Sequence, residues 1–238
     1  MMQEKIKSGK MLNLGDIFEG MSKMLYRGVV IQKFPLDYVM YQMIISEVRP
    51  DLIIEIGTMH GGSALYFADL QELLGIENGE VHSIDMLTPK ERQLYEKDNY
   101  EKHEFHPNED PNYPEKVASH PRIKLFNKGY QGYDLSNCKG FERILVIDDG
   151  SHVYDEVIEA MNKFKDVISV GSYLIIEDGN CEEVFPKPEF IEMWHGGPLR
   201  ATKQFIAEND NYRVDYKWCD MFGINATFNT YGYLKRVK

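Results

Sequence analysis

Asp51-Leu-Ile-Ile-Glu-Ile-Gly-Thr-Met-His-Gly-Gly-Ser-Ala-Leu-Tyr-Phe-Ala-Asp69 is the stretch that decides the fold. Its apolar run, Leu52 to Ile56, is broken only by Glu55 and suits a strand covered on both faces of a parallel sheet. Gly57 ends the run, and Gly61-Gly62 precede the helix-forming segment Ala64-Leu65-Phe67-Ala68. Strand, glycine turn and helix make the first unit of a doubly wound nucleotide-binding fold. The glycine spacing is not that of a dinucleotide site, in which G-x-G-x-x-G lets the backbone press against a pyrophosphate. Here the glycines after Gly57 come four and five residues later, and Glu55 is expected to point its carboxylate at the mouth of the loop. A pyrophosphate would be repelled there. A ligand with an ammonium and a ribose but no phosphate fits better.

Composition narrows the classes. With 238 residues, the chain has room for one sizeable α/β domain and a short appendage. A net charge of −11 excludes a protein that tracks nucleic-acid phosphates on a basic stripe. Cys138, Cys181 and Cys219 are too widely spaced for a zinc cluster or a disulfide framework, so a reducing compartment is expected. No long uncharged apolar run and no secretory segment is read, which gives a soluble, cytoplasmic expectation with no membrane partner.

Along the chain, residues 1–48 are read as an N-terminal helical segment, a cap over the cofactor or an oligomer contact, and 49–238 as the main domain. Helices are expected over Gly15–Tyr26 and Tyr38–Val48, with a loop from Gly28 to Pro35. A second strand, Val81 to Asp85, ends in an acid placed to accept hydrogen bonds from ribose hydroxyls. Residues 86–120 are polar and read as a long loop, either a substrate lid or a solvated connection. Within it His103, His106 and Asp110 can be drawn as a metal cluster, but their spacing favours a solvated loop. Further strands are expected at Arg122–Phe126, Ile144–Ile147 and from Ser172, a loop over Cys181–Pro198, and a closing hairpin of Tyr212–Trp218 with Thr227–Arg236.

Two buried runs end alike. Asp148-Asp149-Gly150-Ser151-His152 follows one strand and Glu177-Asp178-Gly179 the next. If the strands are neighbours, Asp149, Glu177 and Asp178 converge, and packed acids require a proton or a cation. An all-oxygen set with open positions suits Mg²⁺, with Mn²⁺ or Ca²⁺ possible. The alternative is that these acids cap helices. His152 lies three residues past Asp149, where its ring could take the proton of a substrate hydroxyl.

Glu55-Ile-Gly57, Gly61-Gly62-Ser63, Asp148 to His152, Glu177-Asp178 and Gly197-Pro198 together resemble the cephalosporin hydroxylase family and the metal-dependent sugar O-methyltransferases of macrolide biosynthesis. Both are similar to enzymes that use S-adenosylmethionine (SAM), a ligand of the kind expected above. The resemblance runs from about Gly28 onward. It implies a Rossmann-like class I SAM-dependent methyltransferase fold, with a seven-stranded, mostly parallel sheet and a C-terminal antiparallel hairpin. It implies cofactor contacts from Glu55, Gly57, Gly61, Ser63, Asp85 and Asp148, a magnesium ion on Asp149, Glu177 and Asp178, and His152 as base. The acceptor implied is a saccharide or other diol-bearing small molecule. Gly129-Tyr130-Gln131 departs from the acid and serine that many relatives carry there, so no adenine contact is assigned. Two other readings use the same crevice: a non-catalytic nucleotide-binding or assembly module, and an NAD-dependent oxidoreductase.

Overall fold

The computed structural model describes residues 14–99 and 110–238. Helix α1 (Leu14–Met21) leads into a ribbon of β1 (Leu25–Tyr26) and β2 (Val29–Val30), and α2 (Pro35–Val48) follows. The central sheet then takes β3 (Leu52–Ile56), β4 (Glu80–Ile84), β5 (Ile123–Phe126), β6 (Ile144–Asp148), β7 (Tyr173–Ile176), β8 (Tyr212–Val214) and β9 (Tyr233–Arg236). Their order is β5-β4-β3-β6-β7-β9-β8. The first five of these are parallel, and β9 runs antiparallel to both β7 and β8. This is the class I methyltransferase sheet, with its switch point between β3 and β6. Every residue of β3 and β6 is buried, as expected for strands with helices on both faces.

Helix α3 (Gly62–Leu73) starts at Gly61, whose φ of 85° lies in the left-handed region. Gly62 is a packing requirement: an added Cβ would run into the Val30 carbonyl, so the ribbon lies directly on the start of α3. Met40, Tyr41, Ile44 and Ile45 of α2 share one core with Ile53, Leu65 and Phe67. Helix α2 is thus packed into the main core, while Met21 of α1 lies in a separate small cluster with Phe34 and Phe228.

Three expectations change. Residues 86–120 are not a bare loop, since α4 (Pro89–Asn99) and α5 (Tyr113–Ala118) lie within them. Thr88 and Glu91 build a reciprocal capping box: the Thr88 N–H donates to Glu91 Oε2 at 2.8 Å, and the Glu91 N–H to Thr88 Oγ at 3.3 Å. His103 and His106 lie outside the described residues, and Asp110 pairs with Lys116. Residues 181–198 hold short helices at Cys181–Val184 and Pro188–Trp194. The C-terminal strands are shorter than expected and are joined through the helix Tyr216–Cys219, because Asp215 accepts the Lys217 N–H and caps a turn there. Among the described residues no helix is long and apolar enough to cross a membrane.

Candidate functional site

A cavity of about 1000 Å³ opens over the C-terminal ends of β3, β4 and β6, where an open α/β sheet places its ligands. One half is lined by Gly57, Ser63, Asp85, Tyr130 and Asp148, and the other by Phe18, Met21, Val184, Phe185 and Phe228. Asp149, His152 and Asp178 lie on its wall as well.

Gly57 explains why two strand ends come so close. Its φ is 101°, and a Cβ there would overlap the Asp149 carbonyl oxygen. The Asp149 N–H donates to the Ile56 carbonyl at 2.8 Å, so the acid pair after β6 is laid against the glycine turn after β3. Asp85 holds the same turn from the other side. Its Oδ2 accepts the Met59 N–H at 2.9 Å and its Oδ1 the Met86 N–H at 2.6 Å. Asp85 is therefore fixed by two loops at the cavity rim, with Arg92 of α4 at 3.6 Å.

Glu55 is placed differently from its expectation. It is fully buried, does not line the cavity, and accepts a 2.7 Å hydrogen bond from Ser83, its register partner on β4. Its carboxylate lies beneath the turn and not at its mouth, since its position on β3 faces the side chain of the neighbouring strand. Burial raises its pKa, against the pull of Lys33. Any part it plays at the cofactor is through Ser63, which lines the cavity beside it.

Asp148 is 5% exposed and lines the cavity. Its Oδ1 accepts the Gly150 N–H at 3.2 Å, while its Oδ2 is buried without a hydrogen-bond partner among the described residues. Burial pushes its pKa up to about 7. A buried carboxylate oxygen without a partner is the feature that a cationic group satisfies.

Asp149, His152 and Asp178 present ligand atoms within 4.8 Å of one another. His152 Nε2 lies 3.3 Å from Asp178 Oδ2 and 3.9 Å from Asp149 Oδ1. Both His152 (φ 59°) and Asp178 (φ 55°) hold left-handed backbones, a conformation that non-glycine residues adopt at a cost and that often marks a functional site. Burial raises the Asp178 pKa, as Asp149 also does, against the opposing pull of His152.

Glu177 does not join that cluster. It lies behind the wall, 5% exposed, where Oε1 accepts from Tyr41 at 2.7 Å and from the Lys33 ammonium. Of the three acids expected to share an ion, Asp149 and Asp178 meet at the cavity with His152. The third is held by a lysine that no sequence motif marks. Lys33 stands in what was expected to be a loop, Gln32-Lys33-Phe34-Pro35, and its one signal is a cation set among apolar neighbours.

A family model described as rhamnosyl O-methyltransferase/CmcI matches residues 20–110 and 134–237. The chain belongs to this family. The rhamnosyl O-methyltransferase of Mycobacterium bovis (strain BCG / Pasteur 1173P2) is 30% identical over 224 residues, covering 90% of this chain and 79% of the relative. That of Mycobacterium leprae is 28% identical, covering 89% and 82%. Among solved structures, CmcI with SAH superposes with a TM-score of 0.62 at 21% identity, over 100% of this chain and 92% of that one. CmcI with Mg and SAM gives 0.59 at 21% identity, over 100% and 85%. These structures support the fold. Family membership makes the chain a SAM-dependent O-methyltransferase and removes the assembly module and the oxidoreductase.

Proposed function

We propose that this enzyme transfers the methyl group of SAM to a hydroxyl of a saccharide-like small molecule, at a site that carries a divalent cation. The observation that carries this reading is the meeting of Asp149, His152 and Asp178 on a cavity wall next to the unpartnered oxygen of Asp148. The curated relatives named rhamnosyl O-methyltransferase support a sugar acceptor.

The residues fit both groups. Asp149 and Asp178 would hold the cation, with Glu177 packed behind them, since hard oxygen donors and open positions suit Mg²⁺. When bound, such an ion lowers the pKa of an acceptor hydroxyl beside it. SAM supplies an electrophilic methyl group on a cationic sulfur. Asp85 offers its carboxylate to the ribose, and Ser63 and the turn at Gly57 line the cofactor half of the cavity. Asp148 offers its free oxygen to positive charge. His152 then takes the hydroxyl proton on its imidazole, whose Nε2 lies 3.3 Å from Asp178 Oδ2. Alignment of the attacking oxygen comes from the opposite half of the cavity, whose wall of Phe18, Met21, Phe185 and Phe228 excludes water from the acceptor side.

A panel of rhamnosides and other diol-bearing sugars, assayed with SAM and Mg²⁺, tests the reading. Turnover is expected on at least one sugar and should stop on exhaustive chelation. An active preparation indifferent to chelation would mean that the cation has no part in the reaction.

A further inference from the structure

Lys33 is the one buried cation at the acid cluster among the described residues, and the proposed mechanism leaves it without a part. It is 2% exposed and does not line the cavity. Its ammonium donates to Asp149 Oδ2 at 2.5 Å and to Glu177 Oε1, bridging the ends of β6 and β7 from behind. Tyr41 of α2 donates to the same Glu177 oxygen, and its ring lies 5.9 Å from the ammonium. Asn229 in turn donates to the Tyr41 hydroxyl at 3.3 Å. Glu177 is therefore held by α2 as well as by the lysine, and Tyr41 in turn by the segment before β9.

The charge count gives the pairing a purpose. Asp149, Glu177 and Asp178 bring three carboxyl groups to the ends of β6 and β7, and Lys33 sets one ammonium against Asp149 and Glu177. Removing one partner of a buried pair leaves an uncompensated charge. A second cation nearby also repels a divalent ion.

We propose that Lys33 is a positioning residue of the cation site: it fixes the Asp149 and Glu177 carboxylates in place before the ion arrives, and its charge sets how tightly the ion is held. The acid cluster is then held together in the metal-free enzyme, and the ion can come and go without loss of the fold. This rests on the cation reading above but not on the identity of the acceptor.

The test uses Mn²⁺ as probe, with binding read by electron paramagnetic resonance and stability by thermal melting, on the full chain. In Lys33→Met the three acids lose their resident cation. Mn²⁺ should bind at least 10-fold tighter than in wild type, and the metal-free melting temperature should fall and be restored by Mn²⁺. The double variant Lys33→Met/Glu177→Gln removes both charges of the pair, so its metal-free melting temperature should recover towards wild type. If the single variant does not fold without metal, its rescue by Mn²⁺ or by the second substitution supports the proposal equally. A lysine with only a packing role would lower the melting temperature in both variants and leave Mn²⁺ affinity unchanged or weaker, which overturns the proposal. If neither wild type nor Lys33→Met binds Mn²⁺, the cation reading falls with it. Tighter binding in Lys33→Met without methyl transfer to any sugar would support the role of Lys33 and count against the proposed acceptor.

Discussion

Asp37→Asn separates a buried carboxyl's hydrogen bonds from its charge. Asp37 is 1% exposed and ties α2 to the segment before β9. Its Oδ1 accepts from the Thr227 hydroxyl at 2.5 Å and the Tyr233 hydroxyl at 3.2 Å, and its Oδ2 accepts the Phe228 N–H at 3.0 Å. Burial outweighs these donors and pushes its pKa from 3.8 up to about 7. An acid raised in this way binds its proton more tightly folded than unfolded. Its contribution is full below pH 3.8 and is lost as the pH climbs to about 7. Between pH 5 and pH 8 the loss is roughly 2.5 kcal/mol, at about 1.36 kcal/mol per pKa unit. Asparagine does not titrate, so that slope disappears. Its amide NH₂ must face the Phe228 N–H, however, and leaves that donor unpaired at about 1–3 kcal/mol. The variant should therefore be less stable than wild type at pH 5, with the gap narrowing or reversing by pH 8. Urea unfolding of both proteins at several pH values measures the difference, in which the other titrating groups cancel. A gap that stays constant from pH 5 to pH 8 would refute the reasoning and place the Asp37 pKa near its ordinary value.

Two further outcomes concern the site. His152→Ala should slow methyl transfer by about 10²–10⁴-fold and leave Mn²⁺ binding in place, with partial recovery at higher pH as hydroxide replaces the base; loss of Mn²⁺ binding would make His152 a ligand instead. Gly57→Ala puts a methyl group onto the Asp149 carbonyl at a φ of 101°, so it should cost about 2 kcal/mol or more in urea unfolding and weaken Mn²⁺ binding as well; a variant as stable as wild type would show that the two turns can move apart.

The parts of this fold that are legible in the sequence are those in which one residue's chemistry has one local use. Buried runs closed by glycine or acid mark β3, β6 and β7, and Asp85 follows from its place after β4. Residues set by tertiary pairing are not legible in this way. Glu55 lies on the expected strand, but its direction depends on Ser83 opposite it, and no local pattern reports a register partner. Lys33 gains its meaning from Asp149 and Glu177, more than 100 residues further on. The ribbon β1–β2 has strands of only two residues, too short for any alternation to show. Helix α4 does carry a local signal, because Thr88-Pro89-Lys90-Glu91 is a capping box with proline at the first helical position. The high polarity of the segment masks it and gives the look of a loop.

The placement of β9 between β7 and β8 bears on the order of assembly. Strand β8 is made first, yet its ladder bonds run only to β9. The parallel strands β3 to β7 can therefore zip up in chain order, whereas β8 must wait unpaired for a later segment. When β9 arrives it docks on both neighbours at once, and through Asp37 the segment before it also clamps α2. Until that step the outer edge of β7 is open to strands from other chains, a recognised route to aggregation. A cell making this enzyme would gain most from a chaperone in that interval, between the emergence of β7 and that of β9.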